Sequence, residues 1–280
     1  MNELLDPLRL EFFRNGMIVA MLAGALCGMV GVYVVLRGMS YIGHGLSHAI
    51  FGGAVISFVA KVNFTVGAAI WGFLSALAIN RVARRRTIGA DAAIGVVTTA
   101  SFAVGIAIIS RTSSLRRNFD AALFGNVLGV GVGDVILVAA VLAVAAAMVF
   151  VLYRPLLFVT FDPEVAEASG VRTGAVDAMF SLVLAATIVA TMNVLGVLLI
   201  AAALVIPPVV ARMLTNSFRR MLWIAIVIGA AGGLIGMYVS YFVDMASGPA
   251  IVIVEAAAFL VVYGLSGARG RRALPAGAIE

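Results

Sequence analysis

Residues 16–36 read GMIVAMLAGALCGMVGVYVVL, an apolar run without a single charged side chain. One helix needs about 20 mostly apolar residues to cross a bilayer, so this run predicts a spanning helix. Similar runs recur to the end of the chain and predict an all-α transmembrane bundle of about eight or nine spans. The candidate spans are residues 16–36, 44–60, 64–82, 91–110, 134–153, 173–192, 194–212, 220–243 and 249–266.

The composition of the whole chain agrees with these runs. Of 280 residues, 63% are hydrophobic and 11% are charged, against about 45–50% and about 25% in soluble domains. A water-soluble enzyme is excluded because too few polar side chains remain to cover its surface, and disorder is excluded by the high hydrophobicity. The net charge of +6 comes from short basic clusters between apolar runs, which is typical of cytoplasmic loops and not of nucleic-acid binding.

We expect one transmembrane domain over residues 1–280, with an N-terminal interfacial segment at 1–15 and a basic tail at 267–280. The N-terminal segment mixes acidic and basic residues, unlike a cleaved signal peptide, so the first span is expected to be retained. An N-terminus outside and a C-terminus inside place most basic residues, including the cluster at 81–86, in the cytoplasm. The positive-inside rule therefore predicts this orientation.

The only two histidines, His44 and His48, stand four residues apart. On a helix this spacing puts them on one face, with Cβ atoms about 5–6 Å apart. Two imidazoles so placed can share one divalent cation, and ionisable residues within membrane segments by default mark a site or a pathway. Ser47 and the flanking glycines would let a neighbouring helix or an ion come close. The alternative is a pair of neutral histidines hydrogen-bonded between helices.

The stretch FDPEVAEASGV, residues 161–171, predicts a short helix between two spans. Asp162 is a good N-cap, and Gly170 is a natural C-terminal stop. Glu164 complements the helix dipole, and with Glu167 it forms an acidic face. On the predicted cytoplasmic side, this helix is either a capped connector or a docking helix that inserts into a partner.

Four other polar residues are weaker candidates. Glu255 lies within the last apolar run and is either a pathway carboxylate or, slightly favoured, a neutral acid hydrogen-bonded to a neighbouring helix. Asn193 stands at an outer span boundary and is a possible ligand or gate residue. Asp91 and Asp134 each open a span and are expected to be N-caps.

The chain carries no motif for binding ATP or for a cysteine-based metal site. Its only lysine, Lys61, has no Walker A context, so we expect no ATP site of the P-loop type and no enzymatic activity. The single cysteine, Cys27, excludes a disulfide framework.

Several motifs together resemble one family. Residues 37–49 fit the pattern R-x-M-S-x-x-G-x-x-x-S-H-A, and Asp162, Ala166 and Gly170 fit D-x-x-x-A-x-x-x-G. From about residue 12 to 266, the chain resembles the membrane permeases of bacterial ABC importers for zinc and manganese. Further similar stretches are residues 91–95, 123–126, 196–208 and 247–249.

The resemblance implies a multi-pass subunit of the bacterial cytoplasmic membrane. It implies two copies of the permease around a central path, two copies of a cytoplasmic ATP-binding subunit docked on the helix at 162–170, and an extracytoplasmic metal-binding protein. It also implies a divalent metal as transported substrate and ATP on the partner subunit, with no permanently bound cofactor.

One position departs from the family pattern. The family usually has an aspartate where this chain has His44, and imidazole suits zinc whereas carboxylate oxygen suits manganese. The change favours zinc over manganese slightly. Two other functions are open: a proton-coupled secondary cation transporter that uses Glu255 and the histidines, and an ABC permease for a metal chelate.

Overall fold

A computed structural model describes residues 6–83, 90–111, 123, 125 and 129–272. Arg84, Arg85 and Arg86 of the predicted basic cluster, the side chain of Asp91, residues 124 and 126, and the end of the basic tail lie outside them. In chain order the helices are a 3₁₀ turn at Asp6–Arg9, then α1 (Glu11–Leu36), α2 (Ser40–Val59), α3 (Phe64–Ala83), α4 (Ala90–Arg111), α5 (Val132–Val151), α6 (Tyr153–Phe161), α7 (Pro163–Ala168), α8 (Thr173–Leu195), α9 (Ile200–Leu214), α10 (Phe218–Val243) and α11 (Ser247–Arg272).

The predicted all-α bundle with about eight or nine spans is confirmed. Eight of the described helices, namely α1 to α5, α8, α10 and α11, are long and apolar enough to cross a membrane. Such runs form helices because a helix satisfies its own backbone N–H and C=O groups where lipid offers no partners. The ninth, α9, has 15 residues and reaches about 22 Å at 1.5 Å per residue, which is less than a full crossing.

Several helix boundaries differ from the predicted spans, and three of the differences involve a break or an added turn of helix. The predicted span 194–212 begins too early, because α8 continues to Leu195 and ends at Gly196, whose φ of 77° breaks the helix before α9. The predicted span 134–153 runs past the end of α5, where a break at Leu152 is followed by the separate nine-residue α6. Helix α2 begins at Ser40 and so adds a full turn before His44.

Helix α1 lies at the centre of the bundle and packs against α10 through main chain. A Cβ atom added at Gly24 would overlap the carbonyl oxygen of Gly229, and one added at Gly28 would overlap that of Ala225. We call this contact the α1–α10 seam. Small residues spaced four apart let two helix backbones approach closely in a membrane, and Gly24 and Gly28 have this role here.

Helix α9 contains Pro207 and Pro208 in its interior. Proline has no N–H group, so the carbonyls of Ala203 and Leu204 have no donor four residues further on. Helix α1 covers this point, since a Cβ atom at Gly31 would overlap the carbonyl oxygen of Leu204. The missing side chain at Gly31 therefore lets α1 close over a weakened turn of α9.

The two ends of the bundle are defined by polar contacts between helices. At one end, which we call the Arg37 end, Arg37 contacts Thr160 of α6 and Asp177 of α8. At the opposite end, the Asp134 end, Asn193 of α8 contacts Asp134 of α5. The short helix α7 lies at the Arg37 end, because it directly follows α6 and precedes α8.

Candidate functional site

His44 and His48 face each other on α2. Their Nε2 atoms lie 3.1 Å apart, and which of the two donates the hydrogen bond depends on the tautomers. The ring centroids are 4.4 Å apart, and the ring planes are nearly perpendicular. The spacing of four residues thus brings the two imidazoles together, as the sequence predicts.

The separation of the two nitrogens fits a shared cation. Two bonds of about 2.0–2.1 Å, set at a tetrahedral angle around one zinc ion, end on nitrogens about 3.3 Å apart. The observed 3.1 Å between His44 Nε2 and His48 Nε2 is close to that value. A small change of side-chain rotamer would place both lone pairs on one ion.

A cavity of about 460 Å³ opens beside the pair, between α2 and α4. Thr98 and Phe102 of α4 line it together with the histidines, and the ring of Phe102 packs edge-on against His48 at 4.6 Å. His48 Nδ1 is buried and has no hydrogen-bond partner among the described residues. His44 is exposed on the surface of the single chain, while His48 is half-buried.

Among the described residues, His44 and His48 are the two strong ligands at this place. Within the described residues, no group of three or more His, Cys, Asp or Glu side chains could hold a metal ion. Ser47 points elsewhere: it is buried, and its hydroxyl donates to the carbonyl of His44 over 2.8 Å. Ser47 therefore stabilises the turn that carries the first histidine. The two imidazoles are open to a further ligand on their exposed side.

The predicted short helix is present as α7, with the predicted ends. Asp162 is its N-cap and accepts a hydrogen bond from the N–H of Val165 over 2.9 Å. Gly170, with φ of 81°, follows the C-cap, and its N–H donates to the carbonyl of Glu167 over 3.0 Å.

One face of α7 is anchored and the rest is exposed. Ala166 is fully buried against the bundle, while Glu164 and Glu167 are exposed. Val165 and the preceding Phe161 are also exposed, at 48% and 62%. Apolar and acidic side chains thus share a surface that nothing in the described part of the chain covers.

Asn193 and Asp134 form a contact between helix ends. The Nδ2 group of Asn193 donates to Asp134 Oδ1 over 2.9 Å, and the N–H of Gly131 donates to Asp134 Oδ2 over 3.0 Å. The N-cap of α5 is Gly131, so the prediction of Asp134 as N-cap is wrong by three residues: its carboxylate reaches back from the third helical position. Asn193 is held by this contact and does not line the cavity beside the histidines.

Glu255 lies on α11, which packs against α8, α9 and α10. It is 1% exposed, and neither carboxyl oxygen has a hydrogen-bond partner among the described residues. The hydrogen bond expected to a neighbouring helix is therefore not found. Space for the side chain comes from Gly232 on α10, where a Cβ atom would lie 2.8 Å from Glu255 Cγ. Glu255 does not line the cavity beside the histidines.

Arg37 is a polar centre whose contacts sequence reasoning missed. Its Nη1 lies 2.9 Å from Asp177 Oδ1, its Nε donates to Thr160 Oγ1 over 3.1 Å, and its Cζ stands 4.5 Å above the ring of Phe180. Burial lowers the pKa of the Arg37 guanidinium below its ordinary value, and the neighbouring Asp177 partly opposes this shift. The guanidinium nevertheless stays charged, as arginine does in proteins. The signal in the sequence is a single arginine directly after an apolar run, but its partners are more than 100 residues away.

Comparison with known proteins places this geometry in a family. Residues 9–265 match the ABC 3 transport family. The manganese transport system membrane protein MntC of Halalkalibacterium halodurans is 34% identical over 260 residues, which cover 93% of this chain and 89% of that one. A Haemophilus influenzae protein named "Probable iron transport system membrane protein" is 33% identical over 96% of this chain and 98% of its own.

A solved structure shows the same fold. PsaBC from Streptococcus pneumoniae, determined in complex with Fab, superposes with a TM-score of 0.83 at 31% identity, covering 93% of this chain and 94% of that chain. By its fold and by these similarities, the protein is a multi-pass membrane subunit of an ABC transporter. The chain belongs to the ABC 3 transport family.

Proposed function

We propose that this chain is the permease subunit of an ATP-driven importer for a divalent transition-metal ion. One observation carries the proposal: a spanning helix presents His44 Nε2 and His48 Nε2 at 3.1 Å from each other beside an open cavity. Polar groups at such positions in membrane proteins by default serve a site or a pathway. The whole of residues 1–280 is expected to act as one transmembrane domain.

A second copy of the chain would enclose the site. His44 is exposed on the face of a spanning helix, and an imidazole is poorly suited to contact with lipid. A two-fold related copy facing it would supply the same pair and bring the number of nitrogen ligands to four. Four is the usual coordination number of a closed tetrahedral site. Metal binding would then take place on the central path between the two permeases.

The energy source is a separate cytoplasmic subunit in this proposal. Helix α7 offers an exposed surface with Glu164, Glu167 and Val165, which suits insertion into a groove of a partner. Two copies of the ATP-binding subunit would dock there, one on each permease. The Arg37 end is then cytoplasmic, with the N-terminus outside and the C-terminus inside.

The transport cycle follows from this arrangement. An extracytoplasmic binding protein would deliver the metal at the Asp134 end, and the ion would pass to His44 and His48. Closure of the ATPase dimer would move α7 and switch the path between outward-open and inward-open. Two neutral imidazoles hold a cation without a full compensating charge, which suits transient binding because a conduit must also release its ion.

The cargo belongs to the first-row divalent metals. The related proteins quoted above are named for manganese and iron, and these names give no support to the zinc preference inferred from His44. The imidazole pair suits zinc, iron and other late metals better than a carboxylate would. We therefore propose a divalent transition metal as the substrate.

The test is metal-resolved uptake by the complete complex. The permease, its ATPase and its binding protein are reconstituted in liposomes, and ATP-dependent uptake of Mn²⁺, Fe²⁺ and Zn²⁺ is measured in parallel. His48→Ala should reduce uptake to background, whereas Ser47→Ala should retain most of it. Unchanged uptake in His48→Ala would contradict the proposal. Uptake without the ATPase would favour a proton-coupled transporter, and uptake of a chelate but not of the free ions would favour a chelate permease.

A further inference from the structure

The side chain of Arg37 joins three parts of the bundle at its Arg37 end. It is only 8% exposed, and its Nη1 contacts Asp177 Oδ1 at 2.9 Å while its Nε donates to Thr160 Oγ1 at 3.1 Å. Thr160 is in turn held, because its hydroxyl donates to the carbonyl of Leu156 over 2.6 Å. A buried charge with hydrogen bonds of this kind makes strong and directional contacts.

The two partners of Arg37 lie on either side of α7 along the chain. Thr160 is the last residue but one of α6, and Asp177 lies in the second turn of α8. Helix α7 between them has one buried residue, Ala166, and is otherwise exposed. A force applied to α7 would therefore reach the bundle through the end of α6 and the start of α8, where Arg37 is bound.

Arg37 is itself rigidly attached to the helix that carries the histidines. Its own N–H donates to the carbonyl of Tyr33, and the N–H of Met39 donates to the carbonyl of Val34, both over 3.0 Å. These bonds fold residues 37–39 into a tight turn, and α2 begins at the next residue. His44 lies four residues after Ser40, about one helical turn into α2.

We propose that Arg37 is the positioning residue that links the docking surface on α7 to the histidine pair on α2, by holding Asp177 and Thr160 on the two sides of α7. This inference rests on the function proposed above. Arg37 does not touch the metal in this scheme. Through its contacts, α6, α8 and the start of α2 move together, so that ATP hydrolysis changes the environment of His44 and His48.

The surroundings of the guanidinium allow it to exchange partners. Arg37 Nη2 is buried and has no hydrogen-bond partner among the described residues. It borders a cavity of about 300 Å³ that is also lined by Asn80, Ser181 and Pro163 at the start of α7. Coupling between distant sites requires an element with two discrete arrangements. The Arg37 guanidinium has an N–H group without a partner in the described part of the chain, beside open space and further polar side chains. It can therefore take two discrete arrangements, one with its present partners and one with others.

The test measures coupling and not activity alone. Mn²⁺ uptake and ATP hydrolysis are recorded in the same liposomes containing permease, ATPase and Mn²⁺-loaded binding protein. Arg37→Gln should keep ATP hydrolysis while uptake per ATP falls roughly tenfold, within the range typical of coupling between two sites. The exchange Arg37→Asp/Asp177→Arg should restore part of the ratio, because it rebuilds the ion pair. Arg9→Gln is the matched control, since Arg9 pairs with Asp6 on the surface at 3.8 Å.

The outcomes separate this proposal from a structural role and from the proposed function. If Arg37→Gln keeps the normal ratio of uptake to ATP hydrolysis, whether or not both rates fall, Arg37 does not couple α7 to the histidine pair. If Arg37→Gln yields no assembled complex, Thr160→Val decides, because it keeps the size of the side chain and removes the acceptor for Arg37 Nε. A normal ratio in Thr160→Val would then overturn the proposal, and a reduced ratio would support it. No ATP-dependent uptake by the unaltered complex would overturn the proposed function itself and this inference with it.

Discussion

Asn193 donates a hydrogen bond from Nδ2 to Asp134 Oδ1 over 2.9 Å and so joins the end of α8 to the start of α5. The two residues are 59 positions apart, and each lies next to a break in a helix. Gly196 ends α8 shortly after Asn193, and Gly131 precedes α5. The contact therefore stabilises the Asp134 end of the bundle at a point where main-chain hydrogen bonding is interrupted.

Replacement of Asn193 by aspartate should lower stability. The donor is lost and a carboxylate is placed against Asp134; a hydrogen bond to a charged group contributes about 1.5–3 kcal/mol. Thermal unfolding of the purified permease in detergent measures the loss. The double variant Asn193→Asp/Asp134→Asn should recover part of it, because donor and acceptor are exchanged. A double variant as unstable as Asn193→Asp alone would contradict this role of the pair.

The residue at position 44 should influence which metal is transported. His44→Asp exchanges an imidazole for a carboxylate, a ligand that suits Mn²⁺ better. We expect uptake of Mn²⁺ to rise relative to that of Zn²⁺ when both ions compete in the reconstituted complex. His44→Ala is the control and should reduce the uptake of both. An unchanged ratio in His44→Asp would show that position 44 has no part in selectivity.

Reversal of the acidic charges on α7 should weaken the attachment of the ATPase and leave the permease itself intact. Glu164 and Glu167 are exposed, and surface substitutions usually change stability by no more than about 0.5 kcal/mol. Co-purification of the ATPase with Glu164→Lys/Glu167→Lys should fall, and the loss should depend on ionic strength. Glu11→Lys is a matched exposed control outside α7. Equal recovery of the ATPase with both variants would contradict a docking role for α7.

Glu255→Gln should retain uptake. The side chain is buried against Gly232 and borders neither the cavity beside the histidines nor the one beside Arg37. Glutamine has nearly the same shape, so packing is preserved. Gly232→Ala should be more harmful than Glu255→Gln, since its Cβ would lie 2.8 Å from Glu255 Cγ. A complete loss of uptake in Glu255→Gln, with normal folding, would favour a proton-coupled mechanism.

Gly31→Ala should destabilise the bundle where α1 covers α9. The added Cβ would overlap the carbonyl oxygen of Leu204, and overpacking in a close-packed interior costs about 1–3 kcal/mol. Gly264→Ala on α11 is the control, because nothing lies within 4 Å of a Cβ there. Alanine is the better helix former by about 1 kcal/mol, so Gly264→Ala should be neutral or stabilising. Similar melting temperatures for the two variants would contradict the close approach.

The sequence allowed the spans and the ends of α7 to be predicted because both depend on local chemistry. A long apolar run has few structural options in lipid, and Asp162 and Gly170 act on the main chain within a few residues. The pairing of His44 with His48 was predictable for the same reason, since one helical turn separates them.

The remaining features depend on contacts between distant parts of the chain. Arg37 and Asp177 are 140 residues apart, and neither position shows in its local sequence which partner it has. The short α6 was missed because its charged and proline residues, Arg154 and Pro155, resemble the end of a span. The break between the predicted spans 173–192 and 194–212 was placed about three residues before Gly196, because apolar residues continue on both sides of it.

The α1–α10 seam has a consequence for how the chain tolerates change. Main chain meets main chain at Gly24 and Gly229, so no side chain has to be matched there, but none can be added. In a library that samples every amino acid at every position, tolerance at these residues should follow side-chain volume and not polarity. Serine should rank beside alanine, and leucine, which lipid-facing positions accept readily, should rank among the most damaging residues.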